Sequence, residues 1–193
     1  MSDSPVRMKS VEVLSDNWGT LKKYSYDFVR RDGQTEPQSR EVYDRGNGAV
    51  VLPYDPVSGK VLLTRQFRLP AYVAGHDPML IEACAGLLDD NDAETAARKE
   101  TEEELGYRLR HIERVFDVFM SPGSVTERLV FFIAAYDPAD RISDGGGHAD
   151  EGEDIEVLEM SLDDALAMVE SHQIVDAKTV MLLQHVKLKG LIA

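Results

Sequence analysis

The sequence is short of several things, and each shortage excludes something. One cysteine, Cys84, stands among 193 residues. No intramolecular disulfide can form, and a cytoplasmic location is expected. Cys84 lies in the mostly apolar run Leu80-Ile81-Glu82-Ala83-Cys84-Ala85 with no base close in sequence. It reads as a buried small hydrophobe rather than a reactive thiol. Long hydrophobic runs are also missing. The longest, residues 129–136, falls far below the ~20 apolar residues of a membrane helix, so no membrane partner is expected. Residues 1–7 carry charges of both signs with no apolar core behind them, unlike a secretory signal. Bases are scarce: 21 Lys and Arg against 35 Asp and Glu give a net charge of −14. A partner held by its phosphate backbone needs a basic face, so no nucleic acid is expected. The five histidines, at 76, 111, 148, 172 and 185, show no metal-type spacing.

What is present suits one compact folded chain. The 43% apolar content is too high for disorder, and the length is too small for two sizeable cores. The acidity is concentrated. Residues 89–104 hold eight acids and two bases, and residues 137–164 hold eleven acids and one base. The rest of the chain is nearly neutral.

Patterning predicts strands, a central helix, more strands and two closing helices. Residues 21–31 alternate in part and end at Arg31-Asp32-Gly33. Ala49-Val50-Val51-Leu52 reads as a strand stopped by Pro53, and Val61 to Arg68 as its hairpin partner. Residues 115–119, 129–136 and 155–158 read as further strands. Asn91 with Glu94 predicts a capping box for a helix stopped by Gly106. Ser161 and Asp176 are expected to open the last two helices. Gly145-Gly146-Gly147 reads as a flexible loop.

Glu100, Glu103 and Glu104 fall at spacings of three and four, which share a face in an α-helix. Like charges there repel. A divalent cation would relieve the repulsion, since Mg²⁺ takes carboxylate oxygens together with substrate phosphates. A solvated glutamate face is the alternative.

The surrounding residues favour the cation. Gly86-Leu87-Leu88-Asp89-Asp90-Asn91-Asp92 leads into Arg98-Lys99-Glu100-Thr101-Glu102-Glu103-Glu104-Leu105-Gly106-Tyr107. This resembles the Nudix box, a loop–helix–loop that binds divalent metal in hydrolases of nucleoside diphosphates linked to another moiety. Four departures stand out: Asp92 where the family has Glu, a spacing one residue shorter after it, Lys99 for Arg, and Thr101 for an apolar residue. Arg98 is a candidate for part of the missing arginine's orienting role. Ser15-Asp16-Asn17-Trp18, Arg40-Glu41-Val42-Tyr43-Asp44-Arg45, Arg65-Gln66-Phe67-Arg68, Met120-Ser121-Pro122-Gly123, Glu153-Asp154-Ile155-Glu156 and Asp176-Ala177-Lys178-Thr179 extend the resemblance to the GDP-mannose pyrophosphatase branch. Nearby ADP-ribose pyrophosphatases share much of the plan.

The resemblance implies an α/β Nudix fold: a mixed sheet between helices, with an N-terminal antiparallel sheet. It implies N-terminal strands over residues 1–45 that serve dimerisation and substrate contact, and a hydrolase domain over 46–193. It implies metal ligands at Ala85 (through its carbonyl), Glu100, Glu104 and Glu153. Glu153 is the first choice for the base, Glu104 its rival, and Glu103 assists. Substrate contacts are implied at Trp18, Arg40, Glu41, Arg68, Gly86, Leu87, Glu127 and Lys178. The implied reaction is Mg²⁺-dependent (or Mn²⁺-dependent) hydrolysis of GDP-mannose to GMP and mannose 1-phosphate by a homodimer. ADP-ribose hydrolysis, or a non-catalytic nucleotide-sugar-binding module on a degenerate box, are the alternatives.

Overall fold

A computed structural model describes residues 4–192. The chain divides into two compact units, Met1–Asn47 with Phe119–Arg128, and Gly48–Val118 with Leu129–Ala193.

The first unit is built on a three-stranded antiparallel meander. Strands β1 (Val6–Asp16), β2 (Thr20–Val29) and β3 (Thr35–Asp44) pair in that order. The Arg31-Asp32-Gly33 turn joins the last two, with Gly33 at φ 82°. Residues 119–128 join this unit through the backbone. Tyr43 N–H donates to the Ser124 carbonyl at 2.9 Å, and Thr126 N–H donates to the Tyr43 carbonyl at 3.0 Å.

The second unit holds a mixed sheet. Strand β4 (Gly48–Asp55) runs through its middle, followed by β5 (Lys60–Phe67), a short helix α1 (Leu69–Val73), β6 (Met79–Glu82) and β7 (Cys84–Leu87). After helix α2 (Ala93–Glu100) come β8 (Glu113–Phe119), β9 (Arg128–Ala135), β10 (Glu156–Ser161), α3 (Leu162–Glu170) and α4 (Ala177–Leu188). The main path is β10-β5-β4-β9-β8, with β6 on β5 and β7 on β4. β4 lies parallel to β9 and antiparallel to β7.

The predicted stop at Pro53 is corrected: β4 continues to Asp55. Proline forfeits a ladder donor, and central strands tolerate it only where no donor is required. Pro53 falls between the end of pairing with β7 at Val51 and the start of pairing with β5 at Tyr54. On that edge β4 has no neighbour to receive its N–H.

Side chains alternate across a strand, so β4 and β9 feed two cores. Ala49, Val51, Phe132 and Ala134 pack with Cys84, Ala96, Ala97 and Leu105 around α2. Phe131 takes the opposite face. There its ring meets Phe116, which in turn meets His185 of α4. The sheet is therefore covered by α2 on one side and α4 on the other. Among the described residues no helix is long and apolar enough to cross a membrane.

Candidate active site

The central helix begins differently from expectation. Asp92, not Asn91, caps α2: its Oδ1 accepts from the Glu94 and Thr95 backbone N–H groups, both at 3.0 Å. A one-carbon carboxylate reaches back to its own helix end more readily than glutamate. This gives the departure at Asp92 a local role. The helix then widens into a π-helical turn over Thr101–Leu105, closed by Gly106 at φ 78°. Such turns are rare and often lie at functional sites. Thr101 is fully buried, and its hydroxyl donates to the Ala97 carbonyl at 2.7 Å.

Across the π turn Glu100 and Glu104 stay on the β7 side while Glu103 is directed elsewhere. Glu104 turns into the protein and is 2% exposed. Its Oε2 accepts from Ala85 N–H at 3.3 Å. In an antiparallel ladder a residue exchanges both backbone bonds with its partner or neither. With its N–H given to Glu104, Ala85 directs its carbonyl to that same edge, away from β4. Glu100 lies over Gly86, where an added Cβ would come within 2.1 Å of the Glu100 carboxyl. Glu103 faces outward, 3.5 Å from Lys99 Nζ and 3.0 Å from His148 Nε2. Arg98 is directed to Glu94 and the Leu109 carbonyl, so it does not orient these carboxylates. Glu102 pairs with Arg108 at 2.8 Å.

The triple glycine is a cap rather than a flexible loop. Gly146 N–H donates to the Glu104 carbonyl at 2.9 Å, and Gly147 N–H donates to the Glu103 carbonyl at 3.1 Å. A side chain cannot fit at Gly145, where φ is 68° and a Cβ would sit 2.4 Å from the Glu104 carbonyl oxygen. The same loop holds Glu153, whose Oε2 accepts from His148 N–H at 2.8 Å.

Arg68 and Lys178 converge on Glu82, a residue the sequence reading passed over. Arg68 Nε donates to Glu82 Oε2 at 2.6 Å, and Lys178 Nζ donates to Glu82 Oε1 at 2.5 Å. Lys178 also donates to Asp176 at 2.9 Å. Burial alone would lower the Lys178 pKa, but the Glu82 and Asp176 carboxylates outweigh it and hold the ammonium above the ordinary lysine value. Leu87 ends β7 opposite Gly48.

The other expected substrate residues lie in the first unit. Trp18 is largely exposed, with the Arg45 guanidinium carbon 5.4 Å from its ring centroid. Arg45 Nε also stands 2.8 Å from Glu127 Oε1. Arg45 thus links two predicted residues and was itself missed. Arg40 is exposed and donates to the Ser39 carbonyl at 2.8 Å, while Glu41 pairs across the ladder with Lys23.

Electrostatics mark Glu104. Burial, and after it the charges of Glu100 and Glu153, push its pKa from 4.5 to about 7, against the pull of Cys84 and Arg68. Burial and the Glu104 charge push the Cys84 thiol well up, which fits an inert packing role. A folded pKa above the unfolded value means the native state binds the extra proton. Stability from this group is therefore full below about 4.5 and is lost as pH rises to about 7. The loss is about 3 kcal/mol, at roughly 1.4 kcal/mol per unit. We expect the metal-free protein to melt at lower temperature at pH 8 than at pH 5.5, as measured by calorimetry. A Tm that rises across that range would refute it.

The donor set suits a hard cation. Two carboxylates and a carbonyl edge face one another, and without a cation the buried carboxyl gives up its proton only near pH 7. Among the described residues no three His, Cys, Asp or Glu side chains form a ready cage. Mg²⁺ seldom has one, since it keeps waters and recruits substrate phosphates.

A family profile described as the NUDIX domain matches residues 44–183. The chain is a Nudix hydrolase. A second profile, the GDP-mannose pyrophosphatase NudK N-terminal domain, matches residues 5–43 of this Nudix protein. Curated relatives include a GDP-mannose pyrophosphatase of Pectobacterium atrosepticum, 51% identical over 188 residues, or 97% of this chain and 96% of the relative. Another, of Cronobacter sakazakii, is 52% identical over 181 residues, or 93% and 94% of the two chains. A solved structure described as an ADP compounds hydrolase superposes with a TM-score of 0.73 over all of both chains at 18% identity. That likeness speaks to the fold, which is the mixed-sheet Nudix fold expected from the sequence. Nudix hydrolases work with divalent metal ions.

Proposed function

We propose that this Nudix hydrolase cleaves the pyrophosphate bond of GDP-mannose, with Mg²⁺, to GMP and mannose 1-phosphate. One observation carries the reading. Glu104 accepts from Ala85 N–H and Glu100 overhangs Gly86, with the Glu153 charge felt at Glu104, in a chain half identical, over nearly its whole length, to GDP-mannose pyrophosphatases. Glu100, Glu104, Glu153 and the Ala85 carbonyl would hold the metal. Bound there, it would polarise phosphoryl oxygens and offset the charge of the diphosphate. Arg68 and Lys178 supply positive charge to the diphosphate oxygens; Arg40, in the first unit, is proposed as a substrate contact on the resemblance alone. Glu153 takes the proton of the attacking water as the P–O bond to the bridging oxygen breaks. Glu103 assists from beside His148. Trp18 offers a ring for stacking on guanine, with Glu41 and Glu127 for polar contacts. Gly86 and Leu87 form the strand wall.

The protein is further proposed to act in the cytoplasm as a homodimer. β1 is an edge strand with Val6, Met8, Val11, Val13 and Leu14 exposed. An apolar, unpaired edge invites a partner, and light scattering giving a monomer mass would reject it. The reaction is tested by offering GDP-mannose, ADP-ribose and UDP-glucose with and without Mg²⁺, resolving products by ion exchange. GMP and mannose 1-phosphate are expected only with the metal. Exclusive cleavage of ADP-ribose would overturn the substrate assignment, and no cleavage of any would overturn the reaction.

A further inference from the structure

Among the described residues Glu82 is one of four buried carboxylates, 4% exposed at the end of β6. Each of its oxygens serves a different cation. Oε2 takes Arg68 Nε at 2.6 Å from the start of α1, and Oε1 takes Lys178 Nζ at 2.5 Å from the first turn of α4. The two cations are far apart in sequence and share no element. The framework beneath is braced as well. Asp176 holds Lys178 at 2.9 Å and accepts from the Thr179 hydroxyl at 2.6 Å, and that hydroxyl in turn accepts from Ala83 N–H at 2.7 Å. Thr64 Oγ1 donates to the Glu82 carbonyl at 3.2 Å. Helix α4 is thereby tied to the segment between β6 and β7, two residues before Ala85.

Stability alone does not explain such a cluster. A buried ion group is often no more stabilising than apolar residues of the same shape. It does fix geometry. Arg68 gives Nε to Glu82 and its side chain remains 39% exposed, so its two terminal amines are not spent on that carboxylate. Its charge is felt, weakly, at Glu104, so Arg68 lies within electrostatic range of the candidate metal site. Planar guanidinium groups grip phosphate through two donors at once, provided the plane is held.

We infer that Glu82 is a positioning residue, a single buried carboxylate that locks Arg68 and Lys178 into one preorganised cation pair for the diphosphate. The inference rests on the proposed function for the identity of the anion. It predicts a defect in substrate binding that runs through Arg68 and Lys178 and spares the metal.

Glu82→Gln keeps the shape and removes the charge. In steady-state kinetics with GDP-mannose, KM should rise about tenfold or more, the effect of unpairing a charged hydrogen bond. The half-saturating Mg²⁺ concentration should stay within about twofold, because the lost contacts are not metal ligands. Added to Arg68→Ala plus Lys178→Ala, the same change should cost less than about twofold, since residues acting as a unit are not additive. A purely structural role would lower Tm and the active fraction while leaving KM alone. Unchanged KM, or full additivity with the cation variants, overturns the inference. If E82Q does not fold, Glu82→Asp keeps the charge one methylene short of bridging both cations, and the same readings apply. If the wild type cleaves no nucleotide sugar, the proposed function fails separately. Calorimetry with inorganic pyrophosphate and Mg²⁺ then decides: weaker binding by E82Q than by wild type supports the positioning role, while equal binding or none by the wild type overturns it.

Discussion

Glu104→Gln should lower turnover of GDP-mannose by about 10³-fold, the range seen when a group acting on developing charge or on a proton is removed. The same variant should be more stable than the wild type when metal is absent at pH 8. The two outcomes have one cause. Glu104 is 2% exposed, and burial with neighbouring carboxylates raises its pKa to about 7. Above that pH the folded protein holds a charge it would rather not hold. An amide of the same shape retains an oxygen for Ala85 N–H and carries no charge. The variant should therefore lose the decline in Tm between pH 5.5 and 8 expected for the wild type. Adding Mg²⁺ at pH 8 should raise Tm of the wild type by mass action and leave the variant nearly unmoved. Wild-type turnover in the variant would sink the assignment. A variant less stable at pH 8 would show that the charge is compensated within the apo protein.

The local signals in the sequence were strong where chemistry or capping constrains single residues. Gly106 stops its helix in a left-handed conformation, and Ser161 and Asp176 open theirs by accepting from Asp164 and Thr179 N–H groups. The glutamates around 100–104 stood out by their spacing, but their charge alone left a solvated face open, and it was the surrounding box that favoured a cation. The π turn was not legible. Its register depends on how Glu104 and Thr101 are buried against β7, which local spacing does not encode.

Strands β1 and β3 were also silent. β3 is Thr-Glu-Pro-Gln-Ser-Arg-Glu-Val-Tyr-Asp, mostly exposed, with Pro37 inside it. A strand without a buried face shows no alternation, and its pairing is set by its neighbours. Glu82 was overlooked for a related reason. It sits in an apolar run, and its partners lie 14 and 96 residues away. The triple glycine was read as slack because glycine permits motion, whereas here it permits the backbone to approach the helix end.

Close approach also sets the second large effect. Gly86→Ala should reduce turnover by about 10²-fold, the scale of a ~1 Å misplacement at a reacting centre. Gly86 is paired with Ala49 in the ladder, and its φ is not among the positive ones, so alanine meets no backbone strain. The new Cβ would instead stand 2.1 Å from the Glu100 carboxyl. Its Cγ would lie 2.7 Å away as well, so the Glu100 side chain must swing as a whole, which a flexible side chain can do without moving the backbone. Stability should change by less than about 1 kcal/mol, in line with substitutions that touch no core or special backbone position. The Mg²⁺ requirement should rise steeply, because Glu100 is the group displaced. Glu100→Gln should reproduce the defect, and combining the two should add little, since both remove the same carboxylate from the same place. A Gly86→Ala protein with normal turnover and normal Mg²⁺ dependence would mean that Glu100 does its work from another position, and the metal-ligand assignment at Glu100 would have to be withdrawn.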